Sequence, residues 1–179
     1  MTKTLDQFPL HLQKIALLAI EANNIDVYLE LLFRTITGIP AELTFAIFGA
    51  IQNQRIRRDI LAKVAEVELA RHYELERELA ALLKRIGKAA QRRATIVHAV
   101  YKEPLDDKLD NPLAYQPYAA TVGPVEILEL DQSTQQIREL NRDLKRFGIK
   151  VLKERGRRTL QHPSPPQTAS PQKSRPRRP

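Results

Sequence analysis

The sequence predicts a mainly α-helical single domain followed by a basic tail, and three observations predict it. Apolar residues return at helical spacing along five stretches between Leu10 and Val151. Hydrophobic residues make up 42% of the 179, enough for a core that needs neither disulfides nor a metal. After Glu154 the periodicity stops and the composition turns to proline and arginine.

The first stretch, Leu10 to Ile36, reads as a long helix, with Leu12, Ile15, Ala16, Ala19, Ile20, Val27, Leu31, Leu32 and Thr35 as its apolar face. Gly38 stops it, and Pro40 suits the first turn of a short apolar helix, Pro40 to Gln52. A third helix runs from Arg55 to about Ala70 on Ile56, Ile60, Val64 and Val67. The clearest, Glu74 to Tyr101, keeps one face from Leu75, Leu79, Leu82, Leu83 and Ile86 through Ala90, Val97 and Tyr101. Pro104 ends it, and Leu105 to Asn111 is a turn-rich acidic loop. Two β-prone stretches follow, Ala114 to Val122 and Val125 to Leu130, separated by Gly123-Pro124 and able to pair as a hairpin, with Pro117 confining the first to a sheet edge. Asp131 and Ser133 are candidate N-caps for a last helix through Ile137, Leu140, Leu144, Phe147 and Val151, mildly interrupted at Gly148. No internal repeat and no sustained heptad is evident. The domain is therefore expected to span residues 1–154, and residues 155–179 to form a disordered Pro-rich tail, with six prolines after His162.

Net charge is +8, but it is unevenly placed. Seven of the 29 basic residues and none of the acids lie from Arg155 onward, so the domain holds 29 less seven against 21 acids and is close to neutral. Bulk charge is thus a weak argument for a nucleic-acid partner of the domain. There is no cysteine, which excludes a disulfide scaffold, a thiol nucleophile and thiolate metal ligation. The start lacks the pattern of a signal peptide, and the longest apolar run, Phe45 to Ile51, falls far short of a bilayer span. A soluble, cytoplasmic protein with no membrane association is the expectation.

One constellation carries candidate chemistry: Arg92-Arg93-Ala94-Thr95-Ile96-Val97-His98, with Tyr101 three residues on. It resembles the Arg-Asn-x-Ile-x-His motif of the HEPN superfamily of small helical proteins, and the order of elements from Leu10 to Lys153 is similar too. The resemblance implies a HEPN-like helical bundle with a small β-hairpin or irregular insert before the last helix. It also implies metal-independent RNA cleavage of the toxin or defence kind, in which a 2′-hydroxyl attacks the adjacent phosphate. His98 would then transfer the proton and Arg93 stabilise charge on the phosphoryl group; no metal and no cofactor is called for.

The chain departs from the motif at Ala94, where the family has a polar residue. Five residues on an ideal helix also set Arg93 and His98 roughly 140° apart. A homodimer, in which HEPN-type sites are commonly built, would relieve that geometry, and Arg92 is a substitute clamp. Lys84, Lys88 and Arg92, four residues apart, form a basic stripe leading to the motif, and Tyr101 completes an RNA-binding set. The resemblance also implies an antitoxin-type protein partner. Glu21, Asn23, Asn24 and Glu30 are weaker candidates, as a polar lining facing the motif helix. The structural alternatives stay open: a helix-end histidine, a solvated basic face, and a non-catalytic helical dimerisation or interaction module.

Overall fold

The computed structural model describes residues 9–97, 100–102, 113–116, 119–124 and 126–161. The protein is mainly α-helical. Its helices are α1 (Pro9–Thr37), α2 (Ala41–Ala50), α3 (Gln54–Glu68), α4 (Tyr73–Val97) and α5 (Ile127–Gln161). Three short strands, β1 (Val100–Lys102), β2 (Leu113–Gln116) and β3 (Ala119–Pro124), lie between α4 and α5 and pair antiparallel in the order β1-β2-β3.

The core lies where α1, α4 and α5 meet. On α1 the residues facing inward are His11, Ile15, Leu18, Ala22, Ile25, Leu29, Leu32 and Ile36, spaced alternately by four and three. On α5 the same rhythm runs through Leu130, Ser133, Ile137, Leu140, Leu144, Phe147 and Val151, all buried. On α4 it runs through Leu75, Leu79, Leu82, Ile86, Ala89, Arg93 and Ile96. Heptad seams are therefore present where none was expected. Polar or small residues at seam positions (His11, Ala22, Ala89, Arg93, Ser133) hide them from an apolar count.

Ion pairs give the direction of each helix. Lys14 meets Asp131 at 2.7 Å and Arg138 meets Glu21 at 2.8 Å, so α1 and α5 run parallel. Lys150 meets Glu78 at 2.7 Å and Arg85 meets Asp143 at 2.8 Å, so α4 and α5 run antiparallel. The short α2 buries Thr44 and Phe48, the latter against Phe33 with ring centroids 4.9 Å apart. Asn53 caps α3 by accepting from Arg55 N–H at 2.8 Å. Arg57 then reaches back to the end of α2, donating to the Phe48 carbonyl at 2.9 Å and to the carbonyl of Ile51, the residue just after the helix, at 2.7 Å.

Several expectations are corrected. Of the apolar face assigned to α1, Ile15 and Leu32 are buried, whereas Leu12, Ile20, Val27 and Leu31 are exposed. This helix is apolar on two sides, and periodicity alone cannot choose between them. Of the expected strand Val125 to Leu130, Val125 lies outside the described residues, and from Ile127 the chain is the first turn of α5, with Leu130 fully buried in the seam. A short apolar run bounded by turn residues fits either element. Gly123-Pro124 accordingly ends β3 rather than turning a hairpin, and Ser133 lies within α5, not at its cap. Helix α4 ends at Val97, so Tyr101 belongs to β1, opposite Ala114.

The last helix also runs past Glu154, where the sequence reading ended the helical domain. Helix α5 continues to Gln161, and Arg155 donates from Nη1 to the carbonyls of Thr35 at 2.7 Å and Ile36 at 3.1 Å. It thereby closes the C-terminal end of α1, where Gly38 turns the chain at φ +73°. A Cβ at Gly38 would collide with that guanidinium. Of the tail expected over residues 155–179, residues 162–179 lie outside the described residues.

Two opposite glycine effects follow. Gly38→Ala should lower stability by about 1–2 kcal/mol, from the left-handed backbone and the displaced Arg155. Gly148→Ala, whose Cβ would meet only Leu32 Cδ2 at 3.4 Å, should raise it by about 0.5–1 kcal/mol through helix propensity. Urea unfolding of the two variants checks both signs. Truncation after Glu154 should cost about 1–3 kcal/mol beyond truncation after Gly156, because the former removes the Arg155 donor.

Candidate nucleic-acid interface

Helix α4 carries most of the candidate residues, and its geometry sorts them. Lys84 is exposed on the outward side, and Lys88, also exposed, borders the gap between α4 and α5. Arg85 and Arg92 turn toward α5. Arg93 is half-buried and occupies a seam position between Ala89 and Ile96. The basic stripe and Arg93 thus occupy different sides of one helix.

The side facing α5 is a ladder. Glu78, Arg85 and Arg92 stand seven residues apart, and Lys150 and Asp143 answer the first two. Seven residues before Asp143, the next rung of α5 is Gln136, which carries no charge. Arg92 instead reaches further along α5, pairing with Glu129 at 2.9 Å and donating from Nε to Ser133 Oγ at 2.9 Å. Where the ladder lacks its acidic rung, an open groove of ≈ 600 Å³ lies between the helices. Its walls include Arg85, Lys88, Gln91, Arg92, Thr95 and Gln136, with Glu139 as its carboxylate.

The lining is rich in donors: two guanidinium groups, an ammonium, two amides and a hydroxyl. Such a set suits phosphate oxygens. The Arg85–Asp143 and Arg92–Glu129 pairs are partly solvent-exposed. Pairs of that kind are worth about 0–1 kcal/mol, so a phosphate can replace a carboxylate on either arginine at little cost.

The structure therefore brings Lys88 and Arg92 together on one groove and leaves Lys84 on the outward side of the same helix. Arg92 is already held by two α5 side chains, which alters its role as substitute clamp. His98 lies outside the described residues, and Tyr101 is placed by its backbone alone. The polar lining expected on α1 is not found in that role. Glu21 pairs with Arg138 of α5, and Asn23 and Asn24 are exposed. Sequence reasoning missed Arg85, Gln91, Thr95 and Gln136. The signal that marks this edge is the seven-residue spacing of Glu78, Arg85 and Arg92. Among the described residues no three His, Asp or Glu side chains are grouped to hold a metal ion, and no helix is long and apolar enough to cross a membrane.

The seam position of Arg93 makes a stability prediction. Arg93→Met fills the position with an unbranched apolar chain, so the unfolding midpoint should stay within about 1 kcal/mol of wild type or rise. A loss above about 3 kcal/mol would mean that the guanidinium anchors the seam.

No protein-family model, no curated protein and no solved structure matches this chain.

Proposed function

We propose that this is an RNA-directed protein of HEPN-like type and that it cleaves RNA without a metal ion at the C-terminal end of α4. The observation that carries the reading is the donor-lined groove between α4 and α5, which runs alongside the helix that bears Arg93, the first residue of the Arg93-x4-His98 motif. Lys88, Arg85 and Arg92 offer a phosphate track there, and Lys84 extends it outward. In this reading the 2′-hydroxyl forms a bond to phosphorus while the bond to the 5′-oxygen breaks. His98 moves the proton, and Arg93 balances charge on the phosphoryl oxygens. A toxin or defence role, with an antitoxin-type protein partner, comes from the resemblance alone.

A second reading has its own observation. Arg93 and its neighbour Arg92 both serve the bundle, Arg92 through Glu129 and Ser133 and Arg93 through its seam position. That favours a non-catalytic helical interaction module built on the same fold.

Incubation of the purified full chain with single-stranded and hairpin RNAs in EDTA separates the two. The first reading expects cleavage, reduced by about 10²–10⁴-fold in His98→Ala. It also expects Lys84→Glu with Lys88→Glu to weaken RNA binding and flatten its salt dependence, each lost phosphate contact removing about 0.7 from the slope for a single strand. No cleavage of any RNA, or cleavage unchanged in His98→Ala, would overturn it in favour of the interaction module.

A further inference from the structure

We infer that the ligand of the α4–α5 edge is an extended single-stranded RNA whose far end is held in a second cleft, where Tyr73 stacks on a base and Arg71 and Lys153 meet phosphates. This rests on the RNA-directed reading of the donor-lined groove, and not on cleavage. The ladder between the two helices points to it. Glu78 and Arg85 are answered across the edge by Lys150 and Asp143. At one end of these two rungs, Arg92 stands at the level of neutral Gln136. At the other end, one heptad before Glu78 is Arg71, in the turn that leads into α4, and one heptad past Lys150 is Arg157. The middle of the edge is thus charge-balanced, while both of its ends have cations at register positions without an acid across the gap.

The Arg71 end holds a cleft of ≈ 530 Å³ between the start of α4 and the C-terminal part of α5. Arg71, Tyr73, Lys150 and Lys153 line it, with Glu74 and Glu154 as its carboxylates. Tyr73, the first residue of α4, is 66% exposed. Lys150 is held by Glu78, and Glu74 lies 3.8 Å from Arg77. Among the described residues neither Arg71 nor Lys153 has an ion-pair partner. Helix α5 runs on past this cleft with Arg157 and Arg158, the start of a stretch that holds seven basic residues and no acid from Arg155 onward. An exposed aromatic ring beside uncommitted cations suits a single strand. Every base has a face that can stack on the ring, and the cations take the backbone without reading sequence. A duplex keeps its bases paired and stacked and offers none to the ring.

The span sets the length of the ligand. Arg71 and Arg92 are twenty-one residues apart, about 30 Å along a helix axis. A strand stacked at about 3.4 Å per nucleotide covers that distance with about nine nucleotides, and an extended strand with fewer. Single-strand sites on one small domain take roughly 4–16 nucleotides. The ion pairs between the two clefts are partly exposed, so a strand crossing them meets Lys150 and Arg85 on the way.

The second cleft stands at the opposite end of α4 from Arg93, so it touches no reacting group. Its contribution is grip. A strand held at both ends binds its second cleft as an intramolecular event, and a fragment too short to reach both loses that gain.

Fluorescence anisotropy of the full chain with labelled 2′-O-methyl oligonucleotides tests this, since they lack the attacking hydroxyl and stay intact. A dodecamer is expected to bind at least about tenfold tighter than a tetramer. Tyr73→Ala should weaken dodecamer binding by about five- to a hundredfold, and Tyr73→Phe should not, because it keeps the stacking face. Arg71→Glu with Lys153→Glu should lower the salt slope of dodecamer binding by about 1.4, the share of two single-strand phosphate contacts. All of these side chains are exposed, so the helical circular dichroism signal should be kept. A dodecamer bound no tighter than the tetramer would overturn the inference, as would one bound as tightly by Tyr73→Ala and by the charge variant as by the wild type. A chain that binds neither oligonucleotide would overturn it too. Cleavage of RNA in EDTA that is indifferent to Tyr73 sinks the second cleft and leaves the groove standing. Tyr73-dependent binding without cleavage does the reverse to the ribonuclease reading.

Discussion

Helix α5 is the strip on which the rest of the bundle is aligned. It receives α1 on one side and α4 on the other, and its seam from Leu130 to Val151 is buried along its length. An apolar heptad seam does not by itself choose a register, since a slip of seven residues brings equivalent apolar positions back together. The flanking charges choose it. Sliding α5 by one heptad against α1 sets Lys14 against Arg138 in one direction and Glu21 against Asp131 in the other. Sliding it against α4 sets Arg85 against Lys150, or Glu78 against Asp143. Each exposed pair contributes little to stability, about 0–1 kcal/mol. Their weight lies in what they exclude, because every one-heptad slip of either seam puts like charges together.

The candidate site is a consequence of the same ladder. Two rungs between α4 and α5 are filled by opposite charges, and the third has Gln136 where an acid would stand. Arg92, lacking that partner, extends along α5 to Glu129 and Ser133 and leaves the interhelical edge open. The groove thus exists because one position in a repeating electrostatic pattern is neutral. Its lining mixes cations with amide and hydroxyl donors, and its ion pairs are exposed enough to exchange a carboxylate for a phosphate. Arg93, one residue further along, points to the other side of α4 and takes part in packing. Two adjacent arginines therefore meet different environments, a distinction fixed by the roughly 100° turn per residue.

The three principal helices also divide the surface unequally. Helices α4 and α5 turn mostly charged residues outward, whereas α1 keeps a second apolar line there. A helix apolar on two opposite sides is ordinarily covered on both. Here α4, α5 and α3 cover the inner side, and Leu12, Ile20, Val27 and Leu31 stay exposed on the outer one.

What the sequence determined alone was the number and place of the helices. Apolar returns at helical spacing, the stop at Gly38 and the proline at Pro40 are local properties, written in residues a few positions apart. The face of α4 was equally legible from Leu75 to Ile86, but beyond it Ala89, Arg93 and Ile96 continue the seam instead of Ala90 and Tyr101. The tertiary structure decided what local pattern leaves degenerate. Helix α1 has two apolar lines, and only its packing against α5 shows that Leu18, Ile25 and Leu29 go inward while Ile20 and Val27 stay out. The run Ile127 to Leu130 became helix because Leu130 extends a seam whose other members lie up to twenty-one residues away. Arg155 is held at the end of α1 by donating to the carbonyls of Thr35 and Ile36, 120 and 119 residues distant, which no local pattern could show. The groove required both helices at once, since the missing rung at Gln136 has meaning only opposite Arg92.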